Sequence, residues 1–260
     1  MRIYVILESA RKETPLGKYE VFKNAPITEA VLEVVVLPSE ETKVESLLPF
    51  HEPIKERFPK IEQGKEVRGG FKVGVGSASF VEEKPIGFIF RSHQENKVIQ
   101  ARVNGFAFSK LKPYENWEAF RSEANDLWKL YSYIAKPQKI LRISMRYINR
   151  IEIPLPLRDF AEYILTHLQI APSLPQAISQ FFIRFEIPNS EIPAMAVIIQ
   201  TIENVTDKNR LPLIFDIDVL RENEYPVDSP EVWIDFEKLH DFKNESFFSS
   251  ITEKTRELFR

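Results

Sequence analysis

Three arginines, Arg142, Arg146 and Arg150, recur at even spacing in the alternating stretch 139–153. In an extended chain even-numbered neighbours project to one side, so the guanidiniums share a face. Each can grip a carboxylate or a phosphate through two parallel N–H donors. Two readings follow. In one, the face is an anion or nucleic-acid-backbone site on an open sheet. In the other, Glu29 and Glu33 of an earlier strand, with Glu152, neutralise it as cross-strand pairs, as charged ladders on half-exposed sheets commonly do. Asn149 points to the opposite, buried side and needs a hydrogen-bond partner there.

Asp216 and Asp218 alternate in the same way, which puts both carboxylates on one strand face about 7 Å apart. With Glu186 or Glu203 beside them they would hold a divalent cation through oxygen ligands. That is the arrangement of metal-dependent phosphoryl transfer or hydrolysis. The blander reading is a solvated face, or partners for Arg142 and Arg184. The four histidines, His51, His93, His167 and His240, fall in different elements without ligand spacing, and His240 beside Leu239 reads as a surface or satisfied interface residue rather than a base. There is no cysteine, which removes disulfides, thiolate metal sites and thiol nucleophiles. No nucleophile elbow, zinc-protease helix or phosphate-loop motif occurs. Gly69-Gly70 with Gly74-x-Gly76-Ser77 lacks the lysine and the strand-to-helix setting of a phosphate loop, and reads as bent or bulged strands. No cofactor is expected.

The elements that must carry these residues come in two rounds. After a lead-in over residues 1–24, with a short strand expected at Ile3–Leu7, a strand at 27–37 alternates. It sets Ala30, Leu32, Val34 and Val36 on one side and Glu29, Val31, Glu33 and Val35 on the other. A helix at 44–58 follows, with Leu47, Leu48, Ile54 and Phe58 inward and Pro49 and Pro53 interrupting it. Short strands are expected at 67–75, 77–82, 86–92 and 97–104, with an apolar tail at 106–108. Asn116 then caps a helix whose stripe is Trp117, Phe120, Ala124, Leu127, Tyr131 and Ile134, stopped by Pro137. The second round opens with 139–153, where Leu141, Ile143, Met145, Tyr147, Ile151 and Ile153 face inward. A helix at 157–168 and strands at 179–187, 194–203 and 213–221 follow. A closing helix starts at Pro230 behind a Ser229 cap and bends near Asn244.

This order predicts an α+β fold of two pseudo-repeated halves, 25–137 and 138–260, each strand, helix, antiparallel strands, helix, with the helices on one sheet face. The saddle of the TATA-box-binding protein is similar in element order, which implies an architecture and no function. Three runs carry a closer resemblance: Asn24-Ala25-Pro26-Ile27-Thr28-Glu29-Ala30-Val31, Leu111-Lys112-Pro113-Tyr114 with Trp117, and Arg146-Tyr147-Ile148-Asn149-Arg150-Ile151-Glu152-Ile153-Pro154. With the ending from Leu239-His240 through Ser249-Ser250-Ile251-Thr252 to Leu258-Phe259, they resemble a sporadically distributed prokaryotic family of uncharacterised proteins. The likeness runs from about residue 22 to the end and implies no activity.

A net charge of −3 over 260 residues is too mild to advertise nucleic acid or an anionic membrane. No stretch approaches the ~20 apolar residues of a spanning helix, and the apolar run Ile3–Leu7, shorter than that of a signal peptide, is not expected to be a leader. The cytoplasm is the expected compartment. Without an assembled catalytic group, the residues favour a non-enzymatic binding module that uses Arg142, Arg146, Arg150, Glu29 and Glu33 toward an anionic ligand or a protein. The metal-dependent enzyme at Asp216 and Asp218 is the alternative. Phe181, Phe185 and Phe215 read as core, whereas Phe247 and Phe248 near the bend would suit a self-association surface.

Overall fold

A computed structural model describes residues 19–72, 78–93, 96–204 and 207–260, so the strand expected at Ile3–Leu7 and the Gly74-x-Gly76-Ser77 run lie outside the described residues. Strand β1 (Ile27–Leu37) alternates as its sequence requires: Ala30, Leu32, Val34 and Val36 are buried and the residues between them half-buried. The chain continues through β2 (Lys60–Lys72), β3 (Ala78–Arg91), β4 (Lys97–Arg102), β5 (Gly105–Leu111), helix α1 (Trp117–Ala135), β6 (Lys139–Pro154), β7 (Phe182–Asn189), β8 (Ala194–Ile202), β9 (Arg210–Tyr225), α2 (Glu231–Phe248) and α3 (Glu253–Glu257). The strands form one nine-stranded antiparallel sheet in the order β2-β3-β4-β5-β1-β6-β9-β8-β7. β1 and β6 pair at its centre, each flanked on its other side by the last strand of its own half, β5 or β9. The fold is therefore mixed helix and strand, and a single sheet crosses the boundary expected at 137.

One sheet face is dry. Phe106 and Phe108 of β5, Met145 and Tyr147 of β6, and Phe215 and Ile217 of β9 pack with Phe120, Trp128 and Tyr131 of α1 and Phe236 and Leu239 of α2. α1 starts where Asn116 accepts the Ala119 N–H at 2.8 Å and stops at Lys136, which takes a left-handed φ of 44° ahead of Pro137. At the start of α2, Ser229 accepts from the Glu231 N–H across Pro230. Among the described residues no helix is long and apolar enough to cross a membrane.

Several expected elements differ, each for a local reason. The two prolines between 45 and 54 leave a 3-10 helix (Glu45–Ile54), whose threefold repeat buries Leu47 and Phe50 but turns Leu48 outward, 46% exposed. The strands expected at 77–82 and 86–92 are one strand, β3. It passes Pro85 because the β2–β3 register shifts at Gly64/Lys65, so the missing N–H falls at a bulge. The tail 106–108 is a full strand, β5. A second bulge, between Ile140 and Arg142, buries Ile140 in place of the expected Leu141. The helix expected at 157–168 reduces to a 3-10 turn (Phe160–Glu162), because the following backbone pairs with the C-terminal segment. Leu165 N–H donates to Ser250 O, Thr252 N–H donates to Tyr163 O, and Ile164 bridges Ile251. The closing helix runs through Asn244 unbroken to Phe248, and Thr252 caps the short α3 beyond it.

Candidate functional site

Among the described residues the other sheet face carries no helix, and on it β1, β6 and β9 bring the ionic side chains together. Arg142 and Arg146 project from this face as the alternation requires. Arg142 donates to Glu33 of β1 at 2.6 Å, and Ser144 donates to the same carboxylate at 3.3 Å. Arg146 binds Asp216 of β9 through two nitrogens, at 2.9 and 2.6 Å. Arg150 lies at the far end of β6, paired with Glu152 and, at 2.8 Å, with Glu203. Glu29 makes no hydrogen bond to these arginines and reaches Arg146 only through the field. The cluster thus contains Glu33, Arg142 and Arg146 of the expected set, with Arg150 and Glu29 set apart. On the buried side Asn149 donates to Phe215 O at 3.0 Å, the partner it required.

A fourth cation escaped the sequence. Arg102 at the end of β4 also donates to Glu33, reaching across the intervening β5. The path exists because the β5 residue beside it is Gly105: a Cβ there would lie 3.5 Å from Arg102 Nη2. The only sequence signal is a glycine beginning a strand three residues after an arginine, which has no meaning until the register is known. Burial alone would push the Glu33 carboxyl up. The bonds and charges of Arg102 and Arg142 outweigh it and hold Glu33 below the usual carboxylate range.

Asp218 is the exception in this neighbourhood. It faces Arg146 directly across the β6–β9 register, yet its Oδ1 is buried with no hydrogen-bond partner among the described residues. Burial drives its pKa up to about 6, against the pull of Arg146 and with a further push from Asp216 and Glu33. The Nε atoms of Arg102 and Arg142 are buried and unpartnered as well. Three guanidiniums and three carboxylates therefore balance in charge and leave hydrogen-bonding capacity unused.

The metal alternative does not fit this geometry. Asp216 and Asp218 share a face as expected, but Asp216 is held bidentately by Arg146, Glu203 by Arg150 and Glu186 by Arg184. Among the described residues no group of three or more His, Asp or Glu side chains could hold a metal ion.

A second polar cluster lies on the helical side. The Lys243 ammonium is 3.9 Å from the ring centroid of Tyr147, donates to Asn244 Oδ1 at 2.6 Å, and is pushed down to about 7 by burial. The Tyr147 and Tyr114 hydroxyls are 2.8 Å apart. His240 stacks on Trp117 with centroids 4.6 Å apart, its pKa lowered to about 3 by burial and by Lys243, so it is a neutral packed ring as expected. The self-association surface expected at Phe247 and Phe248 is taken up within the chain: Phe247 is buried, and Phe248 stacks on Tyr19 and Phe22. In comparisons with known proteins, no family model matches the chain and no curated protein matches it significantly.

Proposed function

We propose that the chain is a non-enzymatic binding protein whose open sheet face, centred on Asp218, Arg146 and Glu33, docks a polypeptide segment. The observation that carries this reading is Asp218 itself. A carboxylate kept mostly out of water, with a raised pKa and an oxygen that has no hydrogen-bond partner among the described residues, costs the fold more stability than an amide would. Such groups concentrate where a ligand supplies the missing partner.

The partner's chemistry follows from what is unmet. Asp218 calls for a donor, which a lysine, an arginine or a backbone N–H supplies. Arg146, with its side chain 46% exposed, can donate to a carbonyl or carboxylate from outside. The phosphates of a nucleic-acid backbone offer acceptors only and meet a charge-balanced cluster, so they gain little there. Val31, Val35, Ile148 and Ile199, half-buried on the same face, add apolar contact around the ionic centre.

The test is a selection of displayed random peptides on the immobilised chain, followed by affinity measurements. Recovered peptides should carry a basic residue, and Asp218→Asn should weaken them at least tenfold while the fold is retained. Recovery of peptides indifferent to Asp218, or tight heparin binding at physiological salt that Asp218→Asn leaves unchanged, would overturn the reading.

We further infer that the two halves derive from one plan. In support, β1 and β6 are equivalent central strands, and each half's meander returns to lie beside its own first strand. The lack of cysteine fits a reducing compartment, and we place the protein in the prokaryotic cytoplasm in keeping with the resemblance noted above.

A further inference from the structure

The connection between β6 and β7 runs from Leu155 to Phe181 with a single 3-10 turn. That is well beyond the ~12–15 residues at which an irregular connection in a compact domain usually carries function. It wraps an open cavity of about 750 Å³ at the ends of β6, β8 and β9. The volume lies within the ~300–1,000 Å³ typical of small-molecule sites. Leu157, Ile202 and Leu211 give it an apolar floor.

The polar groups of the wall divide into those already engaged and those left over. Asp159 accepts the Ala161 N–H at 2.8 Å and caps the 3-10 turn. Gln176 donates to Ala171 O and Leu174 O, which holds the loop's own shape. Arg158 makes no hydrogen bond or ion pair with any described residue, and His167 Nδ1 is buried and equally without a partner. An exposed guanidinium and an imidazole that makes no hydrogen bond to a described residue therefore line the same cavity as these apolar side chains.

We propose that this cavity binds a small monocarboxylate with an aliphatic or aromatic body. The carboxylate bonds to Arg158 and His167, and the apolar body lies on Leu157, Ile202 and Leu211. A guanidinium matches a carboxylate bidentately, and an imidazole with its proton on Nε2 donates a further bond. Among the described residues Asp159 is the one acid on the wall, and its engagement in the cap leaves Arg158 to set the sign of the ligand. This site is separate from the open sheet face and does not depend on a partner docking there.

The experiment titrates the full chain with octanoate, octylamine and octanol, followed by calorimetry and by the His167 imidazole resonances in NMR. Octanoate should bind saturably in the micromolar to low millimolar range and shift the His167 signals. Arg158→Gln, which breaks no contact in the fold, should weaken it at least tenfold, and His167→Gln should weaken it with the fold intact. No saturable octanoate binding at millimolar concentration overturns the proposal. So does octylamine or octanol binding as tightly as octanoate, or octanoate affinity unchanged in Arg158→Gln.

Discussion

Arg146 lies opposite Asp218 in the β6–β9 register but directs its paired donors to Asp216, one diagonal step along β9. The nearer carboxylate is left with only the field of the guanidinium, and its pKa rises to about 6 while Asp216 takes the bonds. Within one patch of sheet, one carboxylate is bound by a guanidinium and its neighbour has an oxygen without a hydrogen-bond partner among the described residues.

That division gives Asp218→Asn an unusual expected outcome. The folded pKa lies above the unfolded one of 3.8, so between about pH 4 and 6 the native state binds the proton more tightly. Stability contributed by this group therefore falls as pH rises through that window, and the full cost is present above pH 6. The amide should stabilise the protein by about 1–2 kcal/mol at pH 7.5, and the gain should vanish at pH 4. Urea unfolding at the two pH values reads this directly. An asparagine variant less stable than the wild type at pH 7.5 would show that Asp218 has a partner after all.

Arg146→Ala should have the opposite sign. It strands the Asp216 carboxylate, whose side chain is only 7% exposed, without its bidentate partner. Removing one member of a buried pair costs about 3–5 kcal/mol; because nearly half of Arg146 is in water, about 2–3 is expected here. The double variant Arg146→Met with Asp216→Val should recover most of that loss. If the two single losses simply add in the double variant, the pair is not coupled and the bond has no energetic meaning.

How much of this was legible beforehand depends on whether a feature is periodic or a matter of register. The alternation of β1 and β6 announced which side of the sheet Glu33, Arg142 and Arg146 occupy, because a strand's faces follow from parity alone. Partner identity did not follow. Glu33 was expected to neutralise an arginine and does, but Arg146 chose Asp216, which depends on β9 lying beside β6. Leu141 was misread because a bulge adds a residue without any local signature, and the helix expected at 157–168 failed because its backbone donors and acceptors found partners in the C-terminal segment. Arg102 was invisible for the same reason: strand β5 separates it from Glu33, and Gly105 on that strand clears the way.

Lys243 offers a second pH signature, on the other side of the sheet. Its folded pKa of about 7 lies below the unfolded 10.5, so between those values the unfolded chain holds a proton that the native state has released. Stability from this group rises with pH across that window and carries its full penalty below 7. The groups facing it do not titrate there: His240 on the same helix is neutral, and the phenols of Tyr147 and Tyr114 are pushed up. The ring of Tyr147 offsets part of the cost of the buried ammonium. Lys243→Met should stabilise by about 2–4 kcal/mol at pH 6 and by almost nothing near pH 10. Parallel stability profiles for the two proteins would refute the assignment.

Gly105 joins the fold to the candidate site, and Gly105→Ala tests that link. The glycine is not needed for a left-handed turn; it is needed for space. A Cβ built there would stand 2.6 Å from Val34 O and 3.4 Å from Val35 Cα, both backbone of β1 and unable to swing aside. β5 must therefore back away from β1, and the cost should be about 2–3 kcal/mol, the range of overpacked positions. The same shift narrows the passage through which Arg102 reaches Glu33. Glu33 then keeps Arg142 alone, and its carboxyl should titrate closer to the ordinary 4.5. Carbon-detected NMR titration of the carboxylates follows that change independently of global stability. An alanine variant that is destabilised while Glu33 titrates as before would mean that Arg102 reaches its partner by another route.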